Sequence, residues 1–243
     1  MNGFLSVFKR EVKGYFATPV AYLFMIIFLI ISAWFTFFQN NFFGGRVASM
    51  RAFFVSMPFL LLFLGQAISM RLWSEERRSN SIELLFSLPI TTPQAVLAKF
   101  AAAWAVMIIA LVLTFPMVMT LEYLGEPDYG PIWTGYLGCI CLSGIFIAMG
   151  SFFSALSKSQ VIALIVSVVI GSIFILAGSP ALLDFVGETF PLLADMIEAL
   201  SFQSRFESIQ RGVLEVRDVF YFLIFIIGWL WANIIVLEER KAA

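Results

Sequence analysis

Cys139 and Cys141 are the only thiols in the 243-residue chain, which contains no histidine. Wound as a helix, residues two apart point about 200° from one another, so this pair reads as small packing residues and not as a disulfide or metal clip. No G-x-x-x-x-G-K-(S/T) phosphate loop occurs, which removes that route to binding ATP. The long apolar runs carry no carboxylate, so neither a metal-hydrolase site nor a proton relay of the common kind can be assembled within them. The chemistry that remains is that of contact, and it concentrates between Glu75 and Phe100 in EERRSNSIELLFSLPITTPQAVLAKF.

The elements around that stretch are dictated by a bilayer. Hydrophobic residues make up 61% of the chain and charged ones 13%, with a mean hydropathy of +0.95; soluble domains carry about 25% charged residues. A helix needs about 20 mainly apolar residues to cross hydrocarbon, and the runs Thr18 to Phe38, Ala52 to Met70, Phe100 to Leu121, Ile132 to Leu156, Val161 to Gly178 and Val219 to Leu237 qualify as six spans free of Asp, Glu, Lys and Arg. The N-terminus shows no cleavable signal peptide, because its first apolar run is long enough to span and follows a charged amphipathic segment. Alternating the spans gathers Lys9, Arg10, Lys13, Arg71, Arg77, Arg78, Lys99, Lys158, Arg240 and Lys241 at one end, against Arg46, Arg51, Arg205, Arg211 and Arg217 at the other. The positive-inside rule then puts both termini in the cytoplasm.

Residues 1–17 form an amphipathic helix: Phe4, Leu5, Phe8, Val12, Tyr15 and Phe16 fall within about 120° of arc, with Lys9, Arg10 and Lys13 beyond its edge. Such a helix lies flat on the inner leaflet, and a passive lipid anchor explains it as well as any active role. The stretch over 73–89 is different. Its polar side is narrow, with Glu76, Asn80, Glu83 and Ser87 within about 60°, while Ile82, Leu84, Leu85, Phe86 and Leu88 cover most of the rest. Pro89 stops it, and Thr91 or Thr92 can cap the next helix with Pro93 in its first turn. Anionic lipid would repel Glu75, Glu76 and Glu83, so the segment is shaped to meet a protein, or else shields its apolar side against its own bundle.

These residues resemble the signature of permease subunits of type-2 ABC exporters, in which such a run forms the coupling helix that docks into the ATPase subunit. FKREVKGYFATPVAYLFMIIFLI (Phe8 to Ile30) and SRFESIQRGVLEVRDVFYF (Ser204 to Phe222) are similar to the branch containing gliding-motility permeases and the Nos-type permease of copper-site maturation. Asn80 stands where many relatives carry Gly. The likeness implies an all-α polytopic membrane protein with one transmembrane domain over 1–243: six spans, an interfacial helix, a coupling helix between spans two and three, and short outer-face helices over 179–218. It also implies that Glu75, Glu76, Arg77 and Arg78 lie at the membrane side of a docking surface, with Ser81, Glu83, Leu84, Leu85, Ser87 and Leu88 entering the ATPase groove.

On that resemblance the chain is a non-catalytic subunit of the bacterial inner membrane, with no cofactor of its own. ATP and Mg belong to a cytoplasmic ABC ATPase partner, and the chain works as a homodimer or beside a related permease, with a periplasmic or membrane auxiliary subunit as a further partner and no nucleic acid. The apolar spans suit lipid-like or polypeptide cargo, or conformational work on a periplasmic partner. Gly144, Ala148, Ser151 and Ala155 make a small-residue stripe for close helix packing, and Ser167 and Gly171 in span five are candidates for subunit contact. Arg205, Phe206, Glu207 and Arg211 belong to an outer gate in the resemblance, although mixed charge at this spacing equally describes a solvated helix. Pro58 and Pro116 are expected to kink their helices. An ATP-independent transporter or channel, or a non-transporting scaffold, shares the composition; the former usually carries ionisable residues or broken helices at mid-membrane.

Overall fold

Hydrocarbon offers no hydrogen-bond partners to the backbone, so a spanning chain satisfies itself internally, as helix. The computed structural model describes residues 3–40, 42–43, 49–79, 90–188 and 190–242, and all regular elements among them are helical. In order they are α1 (Gly3–Ala17), α2 (Pro19–Trp34, continued by a π-helical turn Phe35–Gln39), α3 (Arg51–Phe54), α4 (Met57–Ser69), α5 (Ser74–Arg78), α6 (Thr92–Val112), α7 (Pro116–Leu124), α8 (Tyr129–Leu156), α9 (Gln160–Leu176), α10 (Pro180–Gly187), α11 (Pro191–Leu200), α12 (Phe202–Gln210) and α13 (Val216–Ala242). The fold is that of an all-α polytopic membrane protein.

Five helical stretches are long and apolar enough to cross alone: Pro19–Gln39, Met57–Arg78, Thr92–Leu124, Tyr129–Leu156 and Val216–Arg240. The sixth crossing is shorter than expected. α9 spans about 25 Å at 1.5 Å per residue, below the roughly 30 Å of hydrocarbon, and is long enough to cross only together with α10, from which it is bent by 65°. α10 and α11 pack against each other as a hairpin with no buried residue in either, consistent with the acids Asp184, Glu188, Asp195 and Glu198 keeping this part out of a full crossing.

The core forms around α8, which packs against α4, α6, α9, α12 and α13. Of its apolar window, 72% is buried, against 28% for Pro19–Gln39 and 22% for Val216–Arg240, so the fourth span is the axis and the first and last lie at the outside of the bundle. Small residues permit this. A Cβ at Gly150 would collide with Ser69 Oγ and Gln66 Oε1 of α4, and one at Gly144 would stand 2.8 Å from Ile226 Cδ1 of α13. Polar side chains tie these crossings together: Gln66 Nε2 donates to Phe146 O at 3.0 Å, and Ser151 Oγ accepts from Trp73 Nε1 at 3.1 Å and Asn233 Nδ2 at 2.7 Å.

Pro58 and Pro116, expected to kink their helices, both sit at helix starts, where the missing N–H costs nothing. Pro58 opens α4 after a turn at 55–56, and Pro116 opens α7 after a break over 113–115 that divides the third span. Thr114 at that break donates to Leu111 O and shares a hydrogen bond of 2.9 Å with the Tyr136 hydroxyl.

Candidate functional site

The end of the bundle that carries both termini is where charged side chains from distant parts of the chain converge. The C-terminal carbonyls of α8, which have no partner within their helix, are met by two arginines: Arg77 donates to Ala155 O at 2.7 Å and Arg240 to Leu156 O at 3.3 Å. Ser154 adds a second tie. Its Oγ accepts from the backbone N–H groups of Trp73 and Ser74, each at 3.0 Å, and donates to Met70 O at 2.7 Å. The turn leading into α5 is therefore fastened to the central helix by side chains, not merely packed on it.

Lys99 organises the rest. Its side chain is 3% exposed, and its Nζ lies 3.1 Å from Glu11 Oε1 and 3.0 Å from Glu76 Oε1. Arg10 Nη2 reaches the same two carboxylates at 2.8 and 3.4 Å. The Trp73 ring lies under the ammonium at 5.1 Å to its centroid, adding a cation–π contact. Burial alone would push the Glu11 carboxyl up, but the charges and hydrogen bonds of Lys99 and Arg10 more than offset this and hold it below its ordinary value of 4.5. Three elements thus meet on one ammonium: α1, the α5 segment that leads into residues 80–89, and α6, which leads out of them.

α6 begins at a capping box. Gln94 N donates to Thr91 Oγ1 and Thr91 N to Gln94 Oε1, both at 3.4 Å, with Pro93 in the first turn; of the two candidate caps, Thr91 is the one used. The start of α1 presses on this same corner, since a Cβ at Gly3 would lie 3.2 Å from Ile90 Cγ1 and 3.3 Å from Gln94 Oε1. α1 thus touches α5 on one side, through Arg10 and Glu76, and the start of α6 on the other, beside Ile90 and Gln94. Ser81, Glu83, Leu84, Leu85, Ser87 and Leu88 lie outside the described residues.

Among the other docking candidates, Glu75 and Arg78 are exposed. Glu76 and Arg77 turn inward, to Lys99 and to Ala155 O, because a buried ammonium and an orphan helix terminus both require a partner. Glu11 carries no such signal in the sequence beyond being an acid between Arg10 and Lys13 on a helix expected to rest on anionic lipid. The small-residue stripe is consumed within the chain: Ala148, Ser151 and Ala155 are fully buried, and Gly144 faces Ile226 and Trp104. Ser167 and Gly171, expected at a subunit contact, instead face inward. Ser167 donates to Ala163 O at 2.7 Å, and Gly171 packs against Leu62 and Met149, where a Cβ would collide.

At the opposite end, Phe206 is in the core rather than on an exposed gate surface. It is 1% exposed and lies against Gly138, where a Cβ would come within 3.2 Å of its ring, because the apolar face of α12 packs on α8. Arg205 pairs with buried Asp218 at 3.4 Å and stands over the Tyr221 ring. Glu207 and Arg211 form an exposed pair at 3.8 Å. Cys139 is buried and Cys141 half-buried, both free thiols, and no three His, Cys, Asp or Glu side chains among the described residues converge to hold a metal ion.

A family model described as ABC-2 family transporter protein matches residues 17–237, beginning at the last residue of α1. No curated protein matches the chain.

Proposed function

The chain belongs to the ABC-2 family of transporters, and on that premise we propose that it is the permease subunit through which a separate cytoplasmic ATPase moves a membrane bundle. The ATPase grips the 80–89 segment, with exposed Glu75 and Arg78 at the rim of the contact and Glu83, Leu84 and Leu88 in its groove. Force enters the spans by the two ends of that segment. One end is tied to α8 through Ser154 and Arg77, the other continues as α6, and Lys99 joins both to α1. The observation that carries this reading is the Lys99 cluster, because a solvated loop has no reason to place a buried ammonium between its two roots and bridge them to an N-terminal helix.

In this reading both termini are cytoplasmic, two copies or a copy and a related permease complete the machine, and net movement is outward, as in exporters of the gliding-motility and Nos-type branch. The α10–α11 hairpin and the Arg205, Glu207 and Arg211 face of α12 form the outer gate region. Its cargo is lipid-like or polypeptide, or its output is conformational work on a periplasmic partner. The test is co-purification from native membranes: Glu83→Arg with Leu84→Asp abolishes association with a nucleotide-hydrolysing protein while the permease still inserts. Unchanged association, or no such protein with the wild type, would count against the docking role and favour an ATP-independent transporter.

A further inference from the structure

An apolar slot opens on the side of the bundle between α2 and α4. Phe24, Phe28 and Ile31 form one wall and Leu60, Leu64 and Ala67 the other, with Leu164 of α9 beside them, enclosing about 250 Å³. Phe28 and Leu64 are buried, while Ile31 is exposed at the rim. The wall on α4 has a direction. Leu60, Leu64 and Ala67 recur at i, i+4 and i+7 of a helical stretch that runs from Met57 to Arg78, and the next position in the series is Arg71, about 6 Å beyond Ala67 along the axis.

Arg71 lines a polar cleft of about 460 Å³ together with Gly14, Tyr15 and the charged side chains of Arg10, Glu11, Glu75, Glu76 and Lys99. Its guanidinium lies 4.7 Å over the Tyr15 ring, and Tyr15 is itself fixed by donating to Ile68 O at 3.3 Å. Among the described residues Arg71 makes no ion pair: Glu11 and Glu76 are engaged by Lys99 and Arg10, and Glu75 is exposed. A Cβ at Gly14 would meet nothing within 4 Å, so the cleft has open space at that point.

An apolar slot whose α4 wall points one turn on to a guanidinium that makes no ion pair among the described residues and rests on the Tyr15 ring, at the end of the bundle that carries the termini, suits a molecule with an acyl chain and a phosphate. We propose that this is a glycerophospholipid site in the leaflet on the side of the termini, with one acyl chain between α2 and α4 and the phosphate on Arg71. Arginine suits that task because its planar fork can donate two parallel hydrogen bonds to phosphate oxygens. A free phosphate would use Arg71 without the slot, and a second copy of the chain would fill the slot without needing the charge. The assignment does not depend on the ATPase reading.

The full chain, purified in mild detergent, is assayed by native mass spectrometry for retained phospholipid and then titrated with phosphatidylglycerol in mixed micelles. The wild type retains one phospholipid after washing. Arg71→Gln and Ala67→Phe each weaken phosphatidylglycerol binding roughly tenfold or more, the loss of one charge-assisted hydrogen-bonded contact or of the slot. Arg71→Lys, which keeps the charge but not the planar fork, restores only part of the Arg71→Gln loss, separating charge from folding, and Arg51→Gln at the opposite end changes nothing. Equal binding by wild type, Arg71→Gln and Ala67→Phe would overturn the proposal. So would displacement of the bound species by inorganic phosphate alone, or an efficient disulfide between two copies of Phe63→Cys, an exposed residue of the slot's lining, which would show the slot covered by a second chain.

Discussion

Replacing Lys99 by Met removes the one ammonium that lies within 3.1 Å of both Glu11 and Glu76. Two carboxylate oxygens that share one Nζ stand at most about 6 Å apart, where like charges repel by about 3 kcal/mol at an effective dielectric of about 20. Stripping one partner from a buried pair costs about 3–5 kcal/mol. Here both glutamates retain 18% exposure and Arg10 stays within 3.4 Å, which places the cost at the lower end, about 3 kcal/mol. If α1 is the element that yields, its detached population rises on the order of 100-fold. Lys9, Arg10 and Lys13 make α1 a trypsin substrate, and cleavage follows the open fraction when reclosing is fast. In inverted membrane vesicles, tryptic removal of α1 should therefore accelerate by about two orders of magnitude in Lys99→Met, and much less in Lys99→Arg. A Lys99→Met chain cleaved at the wild-type rate would refute the claim that this cluster holds α1 to the roots of the 80–89 segment.

The same cluster sets a pH dependence. Because Glu11 is held below its ordinary value of 4.5, the undocked helix binds more protons than the docked one at low pH, so the contribution of Glu11 is present above pH 4.5 and lost as pH falls through the depressed value; trypsin being inactive there, the measurement is pepsin cleavage of α1, which Glu11→Gln should render less pH-dependent. At the centre of the bundle, Gly150→Ala places a methyl group against Ser69 Oγ and Gln66 Oε1, and overpacking of this kind costs about 1–3 kcal/mol, read as a lower unfolding temperature in detergent. Gly228→Ala, where a Cβ meets nothing within 4 Å, should leave that temperature unchanged or slightly raised.

The spans were legible in the sequence because hydrocarbon imposes helix and length together, and the apolar runs around Phe100 to Leu121 and Ile132 to Leu156 admit no other reading. A cap at Thr91 or Thr92 was legible for a similar reason, since its signal is local, but that Thr91 is the one used and that Gln94 closes the box is seen only in the structure. What helical periodicity cannot supply is the identity of the neighbour. It puts Glu76 and Glu83 on one stripe, yet only the tertiary arrangement shows that Glu76 is spent on Lys99, 23 residues away, and that Glu11 joins from the far side. Lys99 read as one more positive charge at the terminal end, not as a buried centre. Small residues likewise fit contacts within a chain and between chains equally well: the resemblance pointed Ser167 and Gly171 to a subunit contact, whereas Ser167 is buried and Gly171 lies against Leu62 and Met149. The fifth span misled by its composition: the apolar run continues to Gly178, but the helix ends at Leu176 and turns by 65° into α10.

The central claim, that a separate ATPase grips this chain at the segment between α5 and α6, is tested most directly by a photo-crosslinking amino acid at position 83 in intact membranes. The account predicts an adduct with a nucleotide-hydrolysing protein whose yield changes between ATP-bound and nucleotide-free states, and no such adduct from position 207 at the opposite end. An adduct at position 83 only with lipid or with a protein of the other membrane face would contradict it.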